Sequence, residues 1–190
     1  MRVPACAPKA AGLAGPAFAA LLLLASCASQ KPAPSPYEGS WRTEGYGYLI
    51  EIKGDRVRFD EESAAAIVPS FAGRLSGDRL SASLGPFGSL EGRFSLEGEV
   101  LVLSFDDTAR RVAGRIPSFR GDPRIAAGRD RSNAAVFDAL WSAFDEHYAF
   151  FDLRGVDWQA AREKHRPRAL AARSSRELFA VLSELLAPLR

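Results

Sequence analysis

An α+β chain, in which a small antiparallel β-barrel or sandwich precedes a three-helix segment, is predicted by three observations. Between Tyr37 and about Phe119 apolar and polar residues alternate with a period of two. From Ser132 onward apolar residues recur three and four apart. Between these stretches Ile116 to Pro123 carries two prolines and a glycine, which marks a boundary. A chain of 190 residues has room for one medium or two small domains and not for a large enzyme core.

Ahead of the first strand lies a leader. Arg2 and Lys9 are followed by an apolar stretch from Leu13 to Ala25, too short for a comfortable spanning helix and of signal-peptide proportions. Its end, Leu24-Ala25-Ser26-Cys27, resembles a bacterial lipobox. That resemblance implies that residues 1–26 are removed and that Cys27 becomes an acylated amino terminus, the chain's membrane partner. Ala28 follows the cysteine, where an Asp would favour inner-membrane retention. The periplasmic face of the outer membrane is therefore the expected location. Residues 27–36, with Pro32, Pro34 and Pro36, read as a stiff tether.

Loss of the leader removes two of 25 basic residues, leaving them balanced by 23 acidic ones, so no electrostatic case for nucleic-acid binding remains. The two cysteines are Cys6 and Cys27. With the first lost and the second acylated, a disulfide, a thiolate nucleophile and a Cys-ligated zinc site are excluded.

The β-domain is expected over residues 37–119. Tyr48, Ile50 and Ile52 alternate with Leu49, Glu51 and Lys53, and Gly54-Asp55 then gives a tight turn before Val57 and Phe59. Gly77-Asp78 and Gly98 punctuate the later strands in the same way, giving a meander of seven or eight short strands. Closure into a barrel would remove the exposed edges. Gly39-Ser40-Trp41 with Gly45-Tyr46-Gly47-Tyr48 resembles the start of a lipocalin-like module. Trp41, Tyr46 and Tyr48 would then either line a ligand cup or fill the barrel. Asp106-Asp107 and Glu61-Glu62 lack calcium-loop spacing and read as solvated turns.

Residues 120–131 read as a surface linker. The helical segment, 132–190, opens with Asp130 or Ser132 as a cap, and Val136, Leu140, Phe144 and Tyr148 then fall four apart. A second helix starts at the cap Asp157 and is limited by Pro167. A third begins at the capping box Ser174-Ser175-Arg176-Glu177 and carries Leu178, Val181, Leu182, Leu185 and Leu186. Phe137, Trp141, Phe144, Leu182 and Leu185 present more apolar face than so small a bundle is expected to cover.

The Phe-x-x-x-Trp helix running into Tyr148, then Gly155-Val156-Asp157-Trp158, Pro167 and Glu177-Leu178, resembles the helical segment preceding the catalytic core of the tail-specific (carboxy-terminal processing) proteases, the tricorn-core-like serine peptidases. Similar lipocalin-like modules precede that segment in some lipoprotein members. The resemblance implies a Ser/Lys endopeptidase acting on protein or peptide substrates in the cell envelope. It also implies an Asp-Gly-His loop after the third helix, at about Arg190.

The resemblance covers none of the family's catalytic residues. After Cys27 the lysines are Lys31 in the tether, Lys53 at a hairpin and Lys164 among charged residues, none of them placed as a buried base. His147 and His165 read as surface or capping histidines, and no Gly-x-Ser-x-Gly, phosphate loop, dinucleotide fingerprint or His-Glu-x-x-His occurs. The site expectation is accordingly lipidation at Cys27, with no catalytic, cofactor or metal residue. Two functions fit: an amino-terminal, non-catalytic part of such a peptidase, inactive alone and completed by a protease core in cis or trans; or a non-enzymatic envelope lipoprotein whose β-domain binds a ligand or partner.

Overall fold

The computed structural model describes residues 35–105 and 109–190. Cys27, Lys31, most of the tether and Asp106-Asp107 lie outside them.

Eight strands form a closed antiparallel barrel in sequence order. They are β1 (Gly39–Thr43), β2 (Tyr48–Lys53), β3 (Arg56–Glu62), β4 (Ile67–Ser76), β5 (Arg79–Ser83), β6 (Ser89–Glu97), β7 (Val100–Phe105) and β8 (Ala109–Ile116). β1 closes on β8, with Ser40 opposite Ile116, so no ladder edge is left unpaired. The alternation read from the sequence sets the two faces. Ile50 and Ile52 point inward with Trp41, Val57, Phe59, Phe94, Leu101 and Leu103, while Glu51 and Lys53 point out.

The interior is filled. Trp41 is fully buried and donates its indole N–H to the Tyr37 carbonyl at 2.8 Å. Tyr48 packs edge-on to Phe59, which stacks on Phe71 with centroids 4.3 Å apart. Of the three rings expected to line or fill the barrel, Trp41 and Tyr48 fill it, and Tyr46 lies outside at 59% exposure. Arginines close both mouths. Arg115 lies 4.1 Å over the Trp41 ring at the end where the chain enters, here called the lower rim, and Arg111 lies 4.6 Å over Tyr46 at the upper rim.

After β8 the chain climbs the outside of the barrel as a strap, residues 117–131, that includes the one-turn helix α1 (Arg124–Ala127). Phe119 packs with Leu49 and Ile67 on the outer face, and Ile125 adds to that cluster. Arg120 bonds Glu51 at 2.8 Å. Gly128 lies so close to β4 that a Cβ there would collide with the Ile67 carbonyl. The expected surface linker does run over the surface, and it is bonded to the barrel along its length.

Three longer helices follow: α2 (Asn133–His147), α4 (Trp158–Leu170) and α5 (Ser175–Leu186). Ser132, Asp157 and Ser174 cap them, each accepting the backbone N–H three residues on. Glu177 reaches back one residue beyond its cap, to the Arg173 N–H at 2.7 Å. One-turn helix α3 (Phe151–Arg154) was not anticipated, and with α1 it brings the α-helices among the described residues to five.

Two further expectations need correction. Pro167 sits inside α4, which continues to Leu170. The ring removes only its own N–H donor, and Ala171 N–H still bonds the Pro167 carbonyl. The five residues thought too many to cover are covered: Phe137, Trp141 and Leu185 are buried, while Phe144 and Leu182 are part-buried in the same cluster. Phe151 of α3, Val156 and Leu189 supply the missing cover.

Candidate functional site

The helical core is organised by two tryptophans. Trp141 of α2 and Trp158 of α4 lie nearly parallel, 8° apart, with centroids separated by 6.3 Å. Each indole N–H donates to the other's carbonyl at 3.2 Å, so both buried polar atoms are satisfied by one reciprocal pair. Phe144 and Phe151 complete the stack around Trp158. On the rim Asp138 accepts from Arg166 at 2.7 and 2.8 Å, and the Arg162 guanidinium covers the Trp141 ring at 4.6 Å. Hydrogen bonds from Arg166 hold the Asp138 carboxyl below its ordinary range.

α2 ends against the upper rim of the barrel. Glu146 accepts the Ala64 N–H at 2.7 Å and the Ser142 hydroxyl at 2.7 Å. His147 Nε2 is 2.8 Å from the Glu62 carbonyl oxygen, a contact that requires the proton on Nε2. Gly47 makes room for that imidazole, since a Cβ there would overlap the ring. From the strap, Arg124 reaches Glu62 Oε1 at 2.8 Å, the Ser63 carbonyl at 3.0 Å and both Asp122 oxygens. These bonds from Arg124 bring Asp122 down to about 2. The junction bounds a cleft of about 240 Å3 with Tyr46, Tyr48, Phe144 and Tyr148 on its walls.

His147 is exposed and bound to the barrel as just described, and it serves the junction. His165, expected at the surface, is buried at 7% exposure in α4. Its Nδ1 has no hydrogen-bond partner, and burial first, then Lys164 and Arg168, push its pKa down. Lys53 and Lys164 are both exposed. Of the serines nearest the junction, Ser63 bonds Ala66 and Ser142 bonds the junction carboxylate of Glu146. Among the described residues no serine hydroxyl is bonded to a histidine or a lysine; Ser142 and Ser70 bond the carboxylates of Glu146 and Glu61, and no three His, Cys, Asp or Glu side chains converge on one point. No described helix is long and apolar enough to cross a membrane.

The arrangement is a filled barrel whose upper rim is clamped to a tryptophan-centred bundle. Residues 130–187, which contain that bundle and its caps, match the family model of the Tricorn protease C1 domain. The match relates this segment to the tricorn and tail-specific proteases, as the Trp141 and Gly155-Val156-Asp157-Trp158 features suggest. No curated protein and no solved structure matched the chain. The Glu146–Ala64, His147–Glu62 and Arg124–Glu62 contacts escaped the sequence reading. The only local hint was the crowding of glycines around Tyr46.

Proposed function

We propose that this chain is the amino-terminal, non-catalytic part of a membrane-anchored, tail-specific-protease-like serine peptidase of the cell envelope. Its helical segment positions a protease core that supplies the serine and lysine, in cis or in trans, and protein or peptide chains are the substrate. Cys27 carries the anchor. The observation that carries the reading is the match of residues 130–187 to the Tricorn protease C1 domain. A lipoprotein that takes a ligand in its barrel has less support, because Trp41, Phe59 and Phe94 occupy the space a ligand would need.

The nucleotide sequence beyond Arg190 provides the test. An in-frame or frameshifted Asp-Gly-His followed by a Ser/Lys pair supports the proposal, and protein from that extended frame should cleave an unfolded polypeptide that the 190-residue chain leaves intact. A stop codon followed by non-coding sequence, with no protease core that binds the chain in trans, would reject it. The anchor is tested separately: Cys27→Ser should accumulate as precursor or soluble protein, and a variant still partitioning with detergent as mature lipoprotein would refute acylation.

A further inference from the structure

Near the lower rim, the outer face of the barrel places cations in neighbouring ladder positions. Lys53 is opposite Arg56 across β2 and β3, and Arg56 is opposite Arg74 across β3 and β4. Arg79 is opposite Arg93 across β5 and β6, and it lies two residues from Ser81, the partner of Arg74. All five are exposed. Like charges directly opposite one another destabilise a sheet, so this belt costs stability. The turn aspartates offset part of it: Asp55 pairs with Arg74 and Asp78 with Arg93. Lys53, Arg56 and Arg79 have no carboxylate partner among the described residues. Glu91, opposite Ser81, borders the belt on its far side.

Lys53, Arg56 and Arg74 of the belt line a concavity of about 580 Å3 floored by Ala72, Gly73, Ser81 and Ala82; Arg58 and Arg120 add cations on the strap side, and the one carboxylate in its lining, Glu51, is paired with Arg120, while Arg79 and Arg93 lie outside it. Small side chains there let an anionic group approach the sheet closely. Its position on the barrel matters as much. Gly39, the first residue of β1, is opposite Ile52, beside Lys53, so the chain arrives from Cys27 at this rim. The helical segment meets the opposite rim through His147 and Glu62. With the anchor proposed above at Cys27, ten residues at no more than about 3 Å each would keep this rim within roughly 30 Å of the bilayer.

We infer that the belt of Lys53, Arg56 and Arg79 rests on anionic lipid head groups, with a phosphate seated in the concavity. The barrel then stands lower rim down, and the helical segment faces away from the bilayer. The inference takes from the proposed function only that the chain is anchored through a residue ahead of the barrel.

The test uses residues 28–190, which lack the leader and Cys27 and contain the compact unit Ala33–Arg190. Because no acyl chain is present, the outcome is independent of whether Cys27 is lipidated. This protein should sediment with phosphatidylcholine vesicles containing about 30% phosphatidylglycerol and not with phosphatidylcholine alone, and binding should weaken with salt. Lys53→Glu with Arg56→Glu should lower partitioning at least about tenfold, whereas Arg173→Glu with Arg176→Glu on the helical segment should leave it unchanged. Should the first pair fail to melt cooperatively, Lys53→Gln with Arg56→Gln replaces it, with a smaller loss expected. Equal binding to neutral vesicles overturns the inference, as does undiminished binding by a well-folded belt variant. Competition by free glycerophosphate at millimolar concentration would assign the site to a soluble anion and overturn the lipid assignment.

Discussion

The barrel and the helical segment solve the same burial problem with different means. In the barrel every strand is bonded on both sides, and the order of the domain is distributed over eight ladders around a core that mixes rings such as Trp41, Phe59 and Phe94 with many aliphatic side chains. The helical segment has three principal helices and depends on a few large rings, with Trp141 and Trp158 satisfying each other's indole N–H groups. Distributed order tolerates single losses, whereas order concentrated in one aromatic pair does not. The two regions meet through a strap and a polar clamp, not through a shared apolar core, since their clusters contain no residue in common.

The largest effect should come from the centre of the concentrated core. Trp158→Ala is expected to cost the helical segment about 3–5 kcal/mol, the range for removing a buried large aromatic. Helical ellipticity should fall while barrel amides keep their protection from exchange. Equal loss of protection in both regions would show one cooperative unit and break the comparison.

Next is the strap. Gly128→Ala sets a Cβ against the Ile67 carbonyl, a backbone atom with little freedom to give. Overpacking of this kind costs about 1–3 kcal/mol. Exchange should accelerate around Phe119 and Ile125 before it does inside the barrel, and unchanged rates there would mean that the strap relaxes without penalty.

Acid should separate the regions further. His165 is held neutral by burial and by the adjacent Lys164 and Arg168, opposed by Glu184 of α5. Its folded pKa is depressed, so its contribution is complete above the unfolded value, about 6.5. That contribution is lost as pH falls through the lower folded value. Helical melting temperature should therefore drop on acidification from neutral pH, and His165→Leu should flatten the drop. A wild-type slope in that variant would place the acid sensitivity elsewhere.

The smallest effect is expected at Tyr46, which has a φ of 58° in the left-handed region. Tyr46→Gly relieves that strain and forfeits the Arg111 contact, so stability should change by no more than about 1 kcal/mol in either direction. A larger loss measured by chemical denaturation would make the Arg111 cap a principal element of the upper rim.

The sequence by itself determined what short spacings encode. Alternation in Tyr48 to Lys53 assigned the two faces of β2, Gly54-Asp55 and Gly77-Asp78 marked hairpins, and Ser132, Asp157 and Ser174 marked helix starts, because each signal acts within four residues. Residues 130–187 were also legible as a related segment, since their aromatic and turn positions lie close together in the chain. Pro167 misled because a proline inside a helix loses one donor, a penalty that packing of the neighbouring Ala169 against the bundle can offset. Tertiary structure alone decided the closure of β1 on β8, the climb of the strap, the fit of His147 over Gly47 and the burial of His165. These contacts join residues tens of positions apart, Glu62 and His147 being 85 apart. Their energies depend on burial and on which partner arrives, and no local pattern records either.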